Sequence, residues 1–140
     1  MAVISLDTNV VVRCLVEDDP AQAALAKRLL NHAAGVFIAR TVLLETEWVM
    51  RGAYGLPRET IHFSLQGVCG LPHVRVEHAE QVAQALADYA AGMDFADALH
   101  WAASQADGGL WTFDAQFARQ ASKRGHSVYR ATAAAVRALE

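Results

Sequence analysis

Short runs rich in β-branched and aromatic residues alternate with longer stretches of helical spacing along the whole chain. The runs at 2–6, 36–39, 74–76, 110–113 and 127–130 are too brief for anything but buried strands. Between them, apolar residues recur every three or four positions, as on Val10, Val11, Cys14 and Leu15. Strands that alternate with helices pair in parallel through right-handed crossovers. The expected fold is therefore α/β: a helix-rich three-layer α/β/α sandwich around a short parallel sheet. With 140 residues and no repeat, linker or low-complexity segment, residues 1–140 are expected to form a single domain.

The punctuation agrees with this pattern. Asp18-Asp19-Pro20 marks a helix start, because an acid suits the first turn and proline its first position. Gly35, Gly55, Gly70, Gly92 and Gly125 mark helix ends or turns. Alanine accounts for 28 of the 140 residues, and it loses no side-chain entropy in a helix.

Charge and cysteine content narrow the function. Twelve Lys and Arg stand against 15 Asp and Glu, a formal net charge of −3, so the chain as a whole is not a basic nucleic-acid binder. Cys14 and Cys69 show no metal-ligand spacing and no disulfide framework. The first apolar run meets Asp7 before a secretory core can form, and no stretch reaches the ~20 apolar residues of a membrane span. A cytoplasmic protein without membrane attachment is expected.

Chemistry concentrates in acids at strand ends. In open parallel sheets, ligands sit beyond the carboxyl ends of the strands. Asp7 and Asp114 both follow apolar runs there, although each is also placed to cap the next helix. Glu45 has Thr41, Val42, Trp48 and Val49 as helical neighbours. It reads as a carboxylate among apolar residues that needs a cation or donor, with Arg40 as the structural alternative. Glu47, four residues before Arg51, reads as half of a solvated pair. In the segment 92–98, Asp94 is an N-cap, leaving Asp97 free to face the sheet end. Carboxylates that converge repel one another, and a hard divalent cation resolves the conflict. Such an ion activates water and stabilises charge on a phosphodiester. His100, one turn after Asp97, reads as packed or solvated.

These residues form an ordered pattern. Asp7-Thr8-Asn9-Val10 after a strand resembles the opening motif of PIN-domain ribonucleases. The segment from Thr41 through Glu45 to Arg51 resembles the second acidic motif of that family's VapC toxins. Asp94-Phe95-Ala96-Asp97 is similar to the third motif and Thr112-Phe113-Asp114 to the fourth. The resemblance implies a Mg2+-dependent endoribonuclease, with Mn2+ as substitute, that cuts structured RNA such as tRNA or rRNA. It assigns metal-binding catalytic acids to Asp7, Glu45, Asp97 and Asp114, with Asn9, Thr112 and Asp94 in support. It also implies a VapB-like antitoxin partner and a homodimer. Hydrolysis by activated water leaves a 5′-phosphate and a 3′-hydroxyl.

No acid occurs between Ala115 and Leu139, where Arg119, Lys123, Arg124, Arg130 and Arg137 fall. Arg119 and Lys123, extended by Arg40 and Arg51, form a candidate phosphate-contacting rim. Val11, Leu15, Leu43, Trp48 and Tyr54 are candidates for a groove that takes a partner helix. Three alternatives stay open: an RNA-processing nuclease that is not a toxin, a DNA-cutting nuclease, and a degenerate metal-binding interaction module. A phosphatase with an aspartyl nucleophile is disfavoured, because Asn9 stands where its second Asp belongs.

Overall fold

A computed structural model describes residues 2–140 and realises the alternation throughout. The order is β1 (Ile4–Ser5), α1 (Thr8–Leu15), α2 (Pro20–Leu30), β2 (Val36–Ile38), α3 (Arg40–Gly52), α4 (Arg58–Cys69), β3 (Val74–Val76), α5 (Ala79–Ala90), α6 (Phe95–Ser104), β4 (Leu110–Thr112), α7 (Ala115–Lys123), β5 (Val128–Arg130) and α8 (Ala133–Leu139). The architecture is helix-rich α/β with every strand pair parallel.

The strands fall into two hydrogen-bonded groups. One has the order β1-β2-β3, with Ile4 opposite Val36 and Val36 opposite Val74. The other pairs β4 with β5, Leu110 opposite Val128. A β1 of two residues offers few ladder groups to a second neighbour, so the groups join through side chains instead. Leu6, Val36, Ile38, Phe117, Ala121 and Val128 belong to one buried cluster.

A buried polar seam reinforces that joint. Asp88 on α5 is fully buried and accepts from Arg124 Nε at 2.6 Å. His126 Nε2 lies 2.8 Å from the same oxygen. The Trp101 ring stacks on His126 at 3.6 Å between centroids. A buried carboxylate persists only when paired and hydrogen-bonded, and here its closest partners come from the turn between α7 and β5, with Gln84 on α5 donating at 3.3 Å. Gly109, before β4, has φ +119°, and a Cβ there would collide with the Tyr129 ring. Only glycine accepts that backbone while letting the two strands close.

Helix starts follow the sequence signals. Asp7, Asp19, Asp94, Asp114 and Thr132 each cap a helix through the side chain, and Pro20 opens α2. Cys14 and Cys69 are both free. Among the described residues, no helix is long and apolar enough to cross a membrane.

Candidate active site

Parallel register sets Asp7, Arg40 and Glu77 just beyond the carboxyl ends of β1, β2 and β3. Arg40 belongs to Glu77. Its backbone N–H donates to Glu77 Oε1 at 2.9 Å, and its Nε lies 3.5 Å from the same atom. Arg40 Nη1 donates to Gln81 Oε1 at 2.8 Å. The backbone donation, with the Arg40 charge, holds Glu77 below the usual carboxylate range. An Arg40–Glu45 salt bridge is thus replaced by one that closes the β2–β3 corner.

Three of the candidate acids combine capping with availability. Asp7 Oδ1 accepts from Thr8 N at 2.8 Å, Asp94 Oδ2 from Asp97 N at 3.1 Å, and Asp114 Oδ1 from Phe117 N at 3.0 Å. Each cap engages one oxygen. The second oxygen of each carboxylate remains for another partner. The Thr112 hydroxyl accepts from the Asp114 N–H at 3.0 Å, which fixes the bend that presents Asp114.

The α3 acids exchange the environments expected of them. Glu45 is exposed and accepts from the Thr8 hydroxyl at 3.0 Å. Glu47 is only 2% exposed. It accepts from Tyr89 Oη at 3.0 Å and from Arg51 Nε at 2.8 Å. The reason is helical phase: Leu43, Thr46, Glu47 and Met50 form the buried stripe of α3. The i,i+4 pair with Arg51 exists, but one end of it lies in the interior.

Two clefts meet at Glu45. One, of about 390 Å³, is lined by Asp7, Thr8, Asn9, Arg13, Glu45 and Tyr54 among others. The other, of about 370 Å³, holds Leu44, Glu45, Glu47, Trp48, Arg51, Asp94 and Ala96. Asp97, half-buried at the start of α6, links this region to Asp114. Burial raises its acid range first, and the neighbouring charges of Asp94 and Asp114 raise it further. Asp97 therefore feels both Asp94 and Asp114. His100 is exposed.

Do these residues suit a divalent cation? The donors are carboxylate oxygens without thiolates, the set that Mg2+ and Mn2+ take. The mutual repulsion felt at Asp97 is what a cation relieves. Side-chain placement is looser than the donor chemistry: among the described residues, no three His, Cys, Asp or Glu side chains gather tightly enough to hold an ion.

The remaining candidates separate cleanly. Arg119 and Lys123 are exposed on α7, whereas Arg124 is taken by Asp88. Of the proposed groove residues, Val11 and Leu43 are 1% exposed and belong to the core. Leu15 is half-buried, and Tyr54 donates to Asp18 Oδ2 at 2.8 Å. Trp48 alone stands well out, 64% exposed. Sequence reasoning missed Glu47, Tyr89 and Asp88 as buried polar centres. The spacing of Glu47 from Leu43 and Met50 was the signal for the first.

Comparison with known proteins places the chain. No curated protein matches it. Among solved structures, Mycobacterium tuberculosis VapC20, described as a sarcin-ricin loop cleaving toxin, aligns at 23% identity. The alignment covers 88% of this chain and 95% of that one, with a TM-score of 0.43. The PIN domain family matches residues 4–123, a span that holds both strand groups' acids. The chain belongs to the PIN domain family.

Proposed function

We propose that this PIN domain is a Mg2+- or Mn2+-dependent endoribonuclease, the toxin of a VapBC-type pair, acting on structured RNA such as tRNA or rRNA. The observation that carries the chemistry is the set of helix-capping carboxylates at strand ends. Asp7, Asp94 and Asp114 each keep one oxygen free, with Glu45 tethered beside Asp7 and Asp97 feeling the charges of the other two. Asp7, Glu45, Asp97 and Asp114 would hold the ion. Asn9, Thr112 and Asp94 would support them.

When bound, the ion supplies water activation and neutralises charge on the scissile phosphate. The chain's own contribution is placement. Helix capping locks the χ angles of Asp7 and Asp114, and the Thr8 hydroxyl restrains Glu45. Arg119 and Lys123 would bind the flanking RNA phosphates. No side chain is required as a covalent nucleophile, so the products are a 5′-phosphate and a 3′-hydroxyl. The toxin assignment, with its VapB-like antitoxin, homodimer and cytoplasmic setting, rests on the resemblance of the four acidic motifs.

One experiment tests both ion and chemistry. Mn2+ should raise the melting temperature by mass action, and the purified protein should cut RNA to ends of that type. Asp7→Asn should remove both effects while keeping the fold, since Asn caps helices as well as Asp. Cyclic 2′,3′-phosphate ends, or a thermal shift unchanged in D7N, would refute the proposal.

A further inference from the structure

The cleft beside Glu45 and Asp94 contains two groups that the proposed chemistry does not use. Trp48 lies one helical turn after Glu45 and is 64% exposed; among the described residues its ring stacks on no other. An indole left in water forgoes the stabilisation that burial of its apolar surface would give. Arg51 follows Trp48 at three positions, so both stand on one face of α3.

Arg51 is unusually well fixed for a surface cation. Its Nε donates to Glu47 Oε2 at 2.8 Å, and Nη2 lies 3.4 Å from Oε1. Glu47 is itself buried and held by Tyr89 Oη at 3.0 Å. Tyr89 is in turn clasped by Arg58, whose guanidinium sits 4.5 Å from the ring centroid. A purely solvated ion pair needs no buried carboxylate and contributes little. Here the buried carboxylate fixes one side of the guanidinium, and Nη1 has no partner among the described residues.

An aromatic plane beside a fixed guanidinium matches what an unpaired nucleotide offers: a base face and a phosphate. Duplex RNA keeps its bases stacked and shows an indole nothing comparable. We infer that Trp48 and Arg51 form a nucleotide subsite, Trp48 stacking one unpaired base and Arg51 contacting its phosphate, with Glu47 and Tyr89 as positioning residues. The inference deepens the nuclease reading and rests on it for the approach of RNA to this cleft. It makes the substrate a single-stranded loop or bulge at the cutting position.

The test measures binding apart from cleavage. Labelled single-stranded RNA, and the same strand annealed to its complement, are titrated by anisotropy against the D7N protein in Mg2+, which leaves RNA intact. The single strand should bind more tightly than the duplex. W48A should weaken the single strand about tenfold or more, the effect of one stacked base, and leave the duplex unchanged. W48F should restore most of the loss. R51Q should lower affinity and flatten the salt dependence by about one phosphate contact. F63A, which removes a still more exposed aromatic on α4, should change nothing.

Equal binding by W48A, or no binding of either RNA by the parent protein, overturns the subsite. A Trp48 that serves only a protein partner would show itself by that first result. The two readings separate: cleavage by the wild type with W48A indifferent keeps the nuclease and removes the subsite. Trp48-dependent binding with no cleavage does the reverse.

Discussion

The Thr8 hydroxyl donates to Glu45 Oε1 at 3.0 Å, across 37 residues of sequence. The Thr8 backbone N–H donates to Asp7 Oδ1 at 2.8 Å. One residue therefore fastens both carboxylates of the first cleft. Thr8→Val keeps the shape and the backbone donor but deletes the hydroxyl. We expect Mn2+ to bind it about tenfold more weakly, as when a partner of a metal-binding carboxylate is lost. A titration of thermal shift against Mn2+ reads this directly, and an unchanged midpoint would deny Thr8 its role.

Asp97 yields a prediction with a definite sign. Its folded acid range is raised by burial, then by Asp94 and Asp114. Its contribution to stability is complete below the unfolded value of about 3.9 and is lost as pH rises through the folded value. At neutral pH without metal the charged side chain is a liability. D97N should therefore melt above the wild type at pH 7 in EDTA, and the gap should close as the solution is acidified. A D97N protein less stable at neutral pH contradicts this.

Tyr89 is buried, and its phenol is pushed up to about 12, by burial first and then by Glu47. Its stabilising contribution holds below the unfolded value of about 10 and fades as pH rises through about 12. Tyr89→Phe strips one donor from the buried Glu47 and should cost about 1–3 kcal/mol in urea denaturation. The variant should also lack the alkaline loss of stability expected of the wild type.

Asp88 sits at the seam between α5 and the α7–β5 turn. Asp88→Ala leaves Arg124 and His126 without their shared partner and opens a void. A loss of about 1–3 kcal/mol is expected, again measured in urea. A loss near zero would mean that the apolar cluster alone joins the two strand groups.

Arg119→Glu with Lys123→Glu should lower RNA affinity at least tenfold at about 0.1 M salt and flatten its salt dependence. Because both residues are exposed, the double variant should melt with the wild type. Undiminished affinity would leave α7 a merely solvated face.

The architecture was largely legible because its signals are local. Two of the strand runs ended at Asp, and Asp7, Asp94 and Asp114 announced caps that the structure contains. The error lay in choosing which α3 acid faces inward. Glu45 has apolar sequence neighbours, but Trp48 stands out in solvent and Val42 and Val49 are only half-buried, while Glu47 shares its phase with Leu43 and Met50. An i,i+4 arginine suggested solvent because such pairs usually lie there. Asp88 was illegible for another reason: its closest partners stand 36 and 38 residues away, and no local pattern encodes that meeting. The division of strands into two groups depended on how few residues β1 lends to pairing.

That division has a temporal consequence. Asp7 and Glu45 accompany the first strand group, whereas Asp114 follows β4, which pairs with β5. During synthesis the early acids leave the ribosome well ahead of the last one. In the proposed nuclease, a nascent chain therefore lacks one of its four metal-holding acids until β4 has been made.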